Sequence, residues 1–238
     1  GQIKKGDTII EASSGNTGIA FSMLGAVKGY KVKIIMPCNM SDERKQMMRL
    51  YGAEIIEVGH NAFKEAIALR DEMVKEKNHW SPRQFCNECN IECHEKTTAK
   101  EIIRQLFIEE KKEIDALICG AGTGGTIMGV NKALKRINKD LVTVLVAPEE
   151  DAASHGIQGI NDGADFLVDR SIIDEEIKIP TQAAIEKAKE LTRKYGLLVG
   201  ISSGANILAC ERWIEENKPQ GAVITFLCDR GERYMSLY

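Results

Sequence analysis

Between residues 7 and 75 strand-like and helix-like stretches alternate with short connections, and this rhythm restricts the fold more than any other feature. Residues 7–11 form a short apolar run bounded by Gly6 and the 13–18 turn, and read as a strand. Residues 17–28 read as a helix stopped by Gly29. Residues 32–36 and 54–58 read as further strands, with a charged helix over 42–50 and another helix over 62–75. The alternation predicts a parallel sheet with helices on its faces.

Residues 77–95 break the pattern and read as a loop-rich crossover. The pattern then returns. A helix is expected over 97–111, a strand over 114–119, a glycine loop and helix to about residue 135, and a strand over 142–147. Residues 148–180 read as irregular. Helices follow over 181–194, where Ala184, Ile185, Ala188 and Leu191 share a face, and over 205–216, with a last strand over 222–227. The expected fold class is α/β, as two open parallel-sheet units, residues 1–95 and residues 96–238.

Composition narrows the function classes. The chain has 238 residues, a formal net charge of −3 and no block of like charges, which points away from nucleic acid. No apolar stretch is long enough to span a membrane. Seven scattered cysteines suit a reducing cytoplasm better than a disulfide scaffold.

Three loops carry the chemistry. Gly120, Gly122, Thr123, Gly124, Gly125 and Thr126 lie between a strand and a helix. Glycines there let backbone approach a ligand, and the helix N-terminus favours an anion, most plausibly phosphate. Gly120, Gly122 and Gly125 also satisfy a dinucleotide spacing, so a nicotinamide oxidoreductase competes. Against it, Ala147 and Pro148 stand where an acidic ribose partner belongs, with Glu149 just beyond. Ser13, Ser14, Gly15, Asn16, Thr17 and Gly18 form a second strand–turn–helix cradle, suited to a carboxylate, although a plain helix cap explains the same residues. Gly200, Ser202, Ser203 and Gly204 repeat that logic. Three loops at strand ends are expected to converge on one cleft.

With Gln158-Gly159-Ile160, the 196–204 segment and Gly231-Glu232-Arg233-Tyr234, these motifs occur in an order that resembles the cysteine synthase and cystathionine β-synthase branch of the fold-type II pyridoxal-phosphate enzymes. The resemblance covers essentially the whole chain. It implies that Gly122, Thr123, Gly124, Gly125 and Thr126 hold the cofactor phosphate and that Asn16 donates to the pyridoxal O3′. Ser202 would face the pyridine nitrogen, where a hydroxyl does not force protonation and so favours prompt β-elimination. Ser13, Ser14, Asn16 and Thr17 would bind the substrate carboxylate, with Gln84 opposite. The implied activity is β-replacement on a small amino acid, with sulfide or a thiol as nucleophile and a homodimer as the assembly. Cysteine synthesis from O-acetylserine and sulfide leads. Hydrogen sulfide release from cysteine, thiol condensation, and a non-catalytic partner-binding role are the alternatives.

Departures from the family pattern carry their own expectations. Only fifteen residues precede Asn16, and Lys4 and Lys5 do not match the Schiff-base lysine segment, so that lysine is expected outside this chain, in a missing N-terminal segment. The stretch between Pro148 and Gln158 is short, and Asn161, Asp162 and Gly163 replace a more glycine-rich run. Cys228, Asp229 and Arg230 replace a Pro-Ser-type segment. Cys86, Cys89, Cys93 and His94 have the spacing of soft metal ligands. The same segment matches the family's loop through Gln84, Asn87 and Asn90, and no metal is expected. Cys38, Cys119 and Cys210 read as core residues, and Asp42, Glu43, Arg44 and Lys45 as a solvated helix face.

Overall fold

The computed structural model describes residues 2–109, 112–151, 154–160 and 164–238. They form two compact units, Gly1–Gln84 with Glu232–Tyr238, and Phe85–Gly231. The division falls after Gln84 rather than at residue 95, and the last seven residues rejoin the first unit.

In the first unit the elements run β1 (Thr8–Ala12), α1 (Asn16–Lys28), β2 (Lys31–Pro37), α2 (Asp42–Leu50), β3 (Glu54–Val58), α3 (Phe63–Met73) and β4 (His79–Trp80). The strands make one sheet in the order β3-β2-β1-β4, every pairing parallel. β1 is buried along its whole length, as a central strand covered on both faces must be. Its core partners include Ile19, Val32, Ile34, Met36 and Met48. Gly29 ends α1 in a left-handed conformation at φ 74°, and its N–H returns to the Gly25 carbonyl.

The second unit opens with α4 (Cys89–Lys96) and α5 (Thr98–Ile102), which passes into a π-type turn over Ile103–Glu109. There follow β5 (Ile114–Gly120), α6 (Gly125–Leu134), β6 (Val142–Pro148), β7 (Glu175–Ile179), α7 (Thr181–Tyr195), α8 (Ile201–Asn217) and β8 (Ala222–Ile224). Its sheet has the order β7-β6-β5-β8, again parallel throughout. Leu117, Ile127, Val130, Leu134 and Leu145 form the centre of its core.

Several elements differ from the sequence reading. The 77–95 stretch holds β4 and α4 instead of loop alone. α4 has no buried residue and no apolar stripe to announce it. It lies against glycines of α6, where a Cβ on Gly129 would fall 2.4 Å from the Ile91 carbonyl oxygen and 2.8 Å from His94 Cβ. Within 148–180, β7 is an edge strand with only Ile179 buried, too weak an alternation to read. α8 begins at Ile201, four residues before the expected start, which places Ser202 and Ser203 in its first turn. The helix expected over 97–111 is irregular where described, and residues 110 and 111 lie outside the described residues, as do Asn161, Asp162 and Gly163.

Candidate active site

In the first unit the Ser13–Thr17 turn follows β1 directly and opens α1. Ser13 is buried and its N–H pairs with the Ile35 carbonyl of the neighbouring strand. Its hydroxyl accepts the N–H groups of Gly15 (3.2 Å) and Gly18 (3.0 Å). Ser13 therefore shapes the turn from inside, and its hydroxyl proton is left to donate. Ser14, Asn16 and Thr17 remain at the mouth of α1, whose first turn carries no acidic residue and whose N-cap, Gly15, has no side chain to cap it. Such an end is suited to an anion.

Gln84 is brought to the same turn by a buried carboxylate. Glu11 accepts from the backbone N–H of Ala12 (2.8 Å) and of Gln84 (3.0 Å), while Arg70 donates to it from 3.0 Å. The Gln84 side-chain amide donates to the Ala12 carbonyl at 2.6 Å. Burial pushes the Glu11 carboxyl up, against the lowering effect of the Gln84 N–H and the Arg70 charge.

In the second unit the residues from Gly120 to Thr126 pass from β5 into α6. Gly124 is the N-cap, left-handed at φ 93°, and the first turn of α6 has no acidic residue. A Cβ on Gly122 would come 2.7 Å from the Gly159 carbonyl oxygen, and one on Gly125 would come 2.0 Å from Asn90 Oδ1. Only glycine fits at both places, because neighbouring protein atoms already occupy the Cβ positions. Asn90 on α4 donates to Thr123 Oγ1 (2.9 Å), which also takes the Gly125 N–H at 3.3 Å. His94, one turn further along α4, places Nε2 at 3.1 Å from Thr126 Oγ1 and Nδ1 at 3.0 Å from Thr98 Oγ1. Burial holds the His94 pKa below its ordinary value, favouring the neutral ring. α4 is thus an outer polar layer behind the loop, pinned to α6 by Glu95 with Lys132 (2.8 Å) and Arg136 (2.7 Å).

Asn206 connects this loop to Ser202. Its fully buried amide accepts the Gly120 N–H at 2.9 Å and donates to the Phe226 carbonyl at 2.9 Å, with Cys228 Sγ at 3.6 Å. Ser202 is buried in the same helix turn, and Cys228 is in hydrogen-bond reach of it. The Cys228 backbone N–H donates to Ser203 Oγ at 2.9 Å. The Cys228 thiol reaches solvent, yet its packed surroundings push its pKa up to about 11, so it is protonated at neutral pH.

Sequence reasoning missed Asn90, Glu11, Arg70 and Asn206 as supports of the site. Glu11 sat inside an apolar run and could have raised the question of its partner. Arg44 and Lys45, read as solvated, are both buried: Lys45 Nζ donates to the Cys38 carbonyl and to Glu57 at 2.7 Å. Among the described residues no group of three His, Cys, Asp or Glu side chains is placed to hold a metal, and Cys86, Cys89 and Cys93 are exposed and form no disulfide. No helix among them is long and apolar enough to cross a membrane.

A glycine–threonine loop at a helix start with no acidic residue in its first turn, joined through Asn206 to the turn that holds Ser202, is the kind of site at which α/β enzymes hold an anion. The family model described as pyridoxal-phosphate dependent enzyme matches residues 1–229. The chain is 40% identical to a cysteine synthase of Staphylococcus aureus over 247 aligned positions, covering 99% of this chain and 78% of that protein. A hydrogen sulfide-producing enzyme from Fusobacterium nucleatum superposes with a TM-score of 0.91 at 39% identity, over 98% of this chain and 81% of the other. A cysteine synthase from Entamoeba histolytica superposes with a TM-score of 0.86 at 37% identity, over 99% and 72%. The chain belongs to the pyridoxal-phosphate dependent enzymes, in the cysteine synthase family.

Proposed function

We propose that this enzyme carries out β-replacement on a small amino acid, making cysteine from O-acetylserine and sulfide. The observation that carries this reading is the start of α6, capped by Gly124 with no acidic residue in its first turn, behind a loop whose glycines pack too closely on Gly159, Val168 and Asn90 to carry a Cβ. Pyridoxal phosphate bound there supplies an electron sink for bond breaking at the amino acid's α- and β-carbons. The first-turn N–H groups of α6, with Thr123 and Thr126, hold its phosphate. Asn90 and His94 hold the two threonine side chains in place at the start of α6. Ser202 faces the pyridine nitrogen, and a neutral hydroxyl there moderates the sink. Asn16 donates to the pyridoxal O3′. Ser14, Asn16, Thr17 and Gln84 take the substrate carboxylate at the start of α1. Ser13 contributes by shaping the turn.

Release of hydrogen sulfide from cysteine is the second reading, favoured by the likeness to the Fusobacterium enzyme and by Cys228 and Asp229 close to the Ser202 turn. The enzyme works as a homodimer in the cytoplasm, where the free cysteines stay reduced. The test is a partition measurement on the intact protein with pyridoxal phosphate. Cysteine formed from O-acetylserine and sulfide is compared with sulfide released from cysteine. Faster synthesis supports the first reading and faster release the second. Neither product, with binding of a nicotinamide cofactor instead, would remove both.

A further inference from the structure

A buried cation needs partners that offset its lost hydration, and those partners show what it is for. Arg44 on α2 is 2% exposed. Its Nη1 donates to the Ser14 carbonyl at 3.2 Å, and its Nη2 donates to the Tyr234 hydroxyl. The guanidinium carbon sits 4.5 Å above the centre of the Tyr234 ring, which is itself fully buried. A Cβ on Gly15 would come within 2.6 Å of Arg44 Cδ and Nε, so the arginine fills the space behind the turn. The C-terminal segment is fastened on both sides of this contact. Ser41 Oγ donates to the Arg233 carbonyl at 2.7 Å, and Ser236 donates to Glu43 through its N–H (2.7 Å) and hydroxyl (3.0 Å).

We propose that Arg44 and Tyr234 are positioning residues for the amino-acid carboxylate. Tyr234 holds the guanidinium flat against Ser14 and Gly15, which fixes the turn and sets a permanent positive charge behind the start of α1. Neither residue touches substrate. The inference rests on the reading of the Ser14–Thr17 turn as the carboxylate site. A guanidinium behind a helix N-terminus adds to the field that draws an anion there, so its removal should weaken carboxylates selectively.

The test uses the intact holoenzyme and two probes, L-alanine and L-alaninamide, each read by the change in cofactor absorbance. Alanine keeps the carboxylate and lacks a leaving group; the amide removes the charge. Arg44→Met keeps the volume, and the expected result is about tenfold weaker alanine binding with alaninamide and cofactor affinity within about twofold of wild type. Tyr234→Phe keeps the ring and loses only the hydroxyl; alanine should weaken about threefold, again without the amide following. Should Arg44→Met fail to fold, Tyr234→Phe decides alone. Parallel loss of both probes, loss of cofactor affinity, or no change in either variant would overturn the proposal. A wild-type enzyme that binds the two probes equally would instead overturn the carboxylate reading of the turn.

Discussion

Glu11 and Arg70 form an ion pair of 3.0 Å with 0% and 3% of their side chains exposed. The carboxylate also holds the N–H groups of Ala12 and Gln84. One buried acid therefore joins the end of β1 to Gln84. Glu11→Ala would leave two backbone donors unmatched and the buried Arg70 with Asp71 alone as its partner at 3.0 Å, and a loss of about 3 kcal/mol in stability is expected. Chemical denaturation checks the figure. Glu11→Gln should cost less and raise the KM for the amino acid more than it lowers kcat, because it disturbs the Gln84 contact first. Equal stability of Glu11→Ala and wild type would contradict this role.

The phosphate loop makes a separate expectation. Gly122→Ala places a methyl 2.7 Å from the Gly159 carbonyl oxygen, which is backbone and cannot turn away. Cofactor affinity in a pyridoxal phosphate titration should fall at least about tenfold, or 1.4 kcal/mol. Gly125→Ala meets the Asn90 amide, a side chain that can move, but only by leaving Thr123. Its effect should be smaller and should be matched by Asn90→Ala.

Asn206 links that loop to the Ser202 turn from inside the protein. Asn206→Leu leaves the Gly120 N–H without its acceptor, and a cost of about 1–3 kcal/mol is expected. Asn206→Asp retains the acceptor and loses the donor to Phe226. Cofactor affinity should fall more in the leucine variant than in the aspartate variant. The reverse order would show that the Phe226 contact matters more.

His94 supplies a pH dependence. Burial lowers its pKa from 6.5 in the folded state, so the unfolded chain binds this proton more readily. The stability it contributes is present above the unfolded value and is lost as pH falls through the folded one. Urea midpoints of the cofactor-free protein should therefore drop between about pH 7.5 and 5.5 for wild type more than for His94→Gln. The cofactor-free form is the right one, since a phosphate beside Thr126 would pull the histidine the other way. An identical pH slope in the two proteins would contradict the assignment.

Local patterns made much of this legible in the sequence. β1, α1, β2, α2 and β3 announced themselves through short apolar runs and turn glycines, and the turn from β5 into α6 through its glycine spacing. What escaped depended on distant partners. Arg44 sits in a charged run, and its partners, the Ser14 carbonyl and Tyr234, are 30 and 190 positions away. α4 packs through the Asn90 side chain on Gly125 and through backbone on Gly129, with Ile91 its one apolar contact to the core, so no periodicity marks it. β7 borrows its order from β6 while keeping most of its side chains in solvent. Ser13 looked like any other hydroxyl of its loop until its two internal hydrogen bonds were visible.

The most direct test follows cofactor absorbance of the intact holoenzyme through a two-step addition. O-acetylserine alone should shift the cofactor band and release acetate, and sulfide added next should restore the band while cysteine appears in equal amount. A band that O-acetylserine leaves unchanged, or that shifts and is not restored by sulfide or any thiol, would contradict β-replacement at this site.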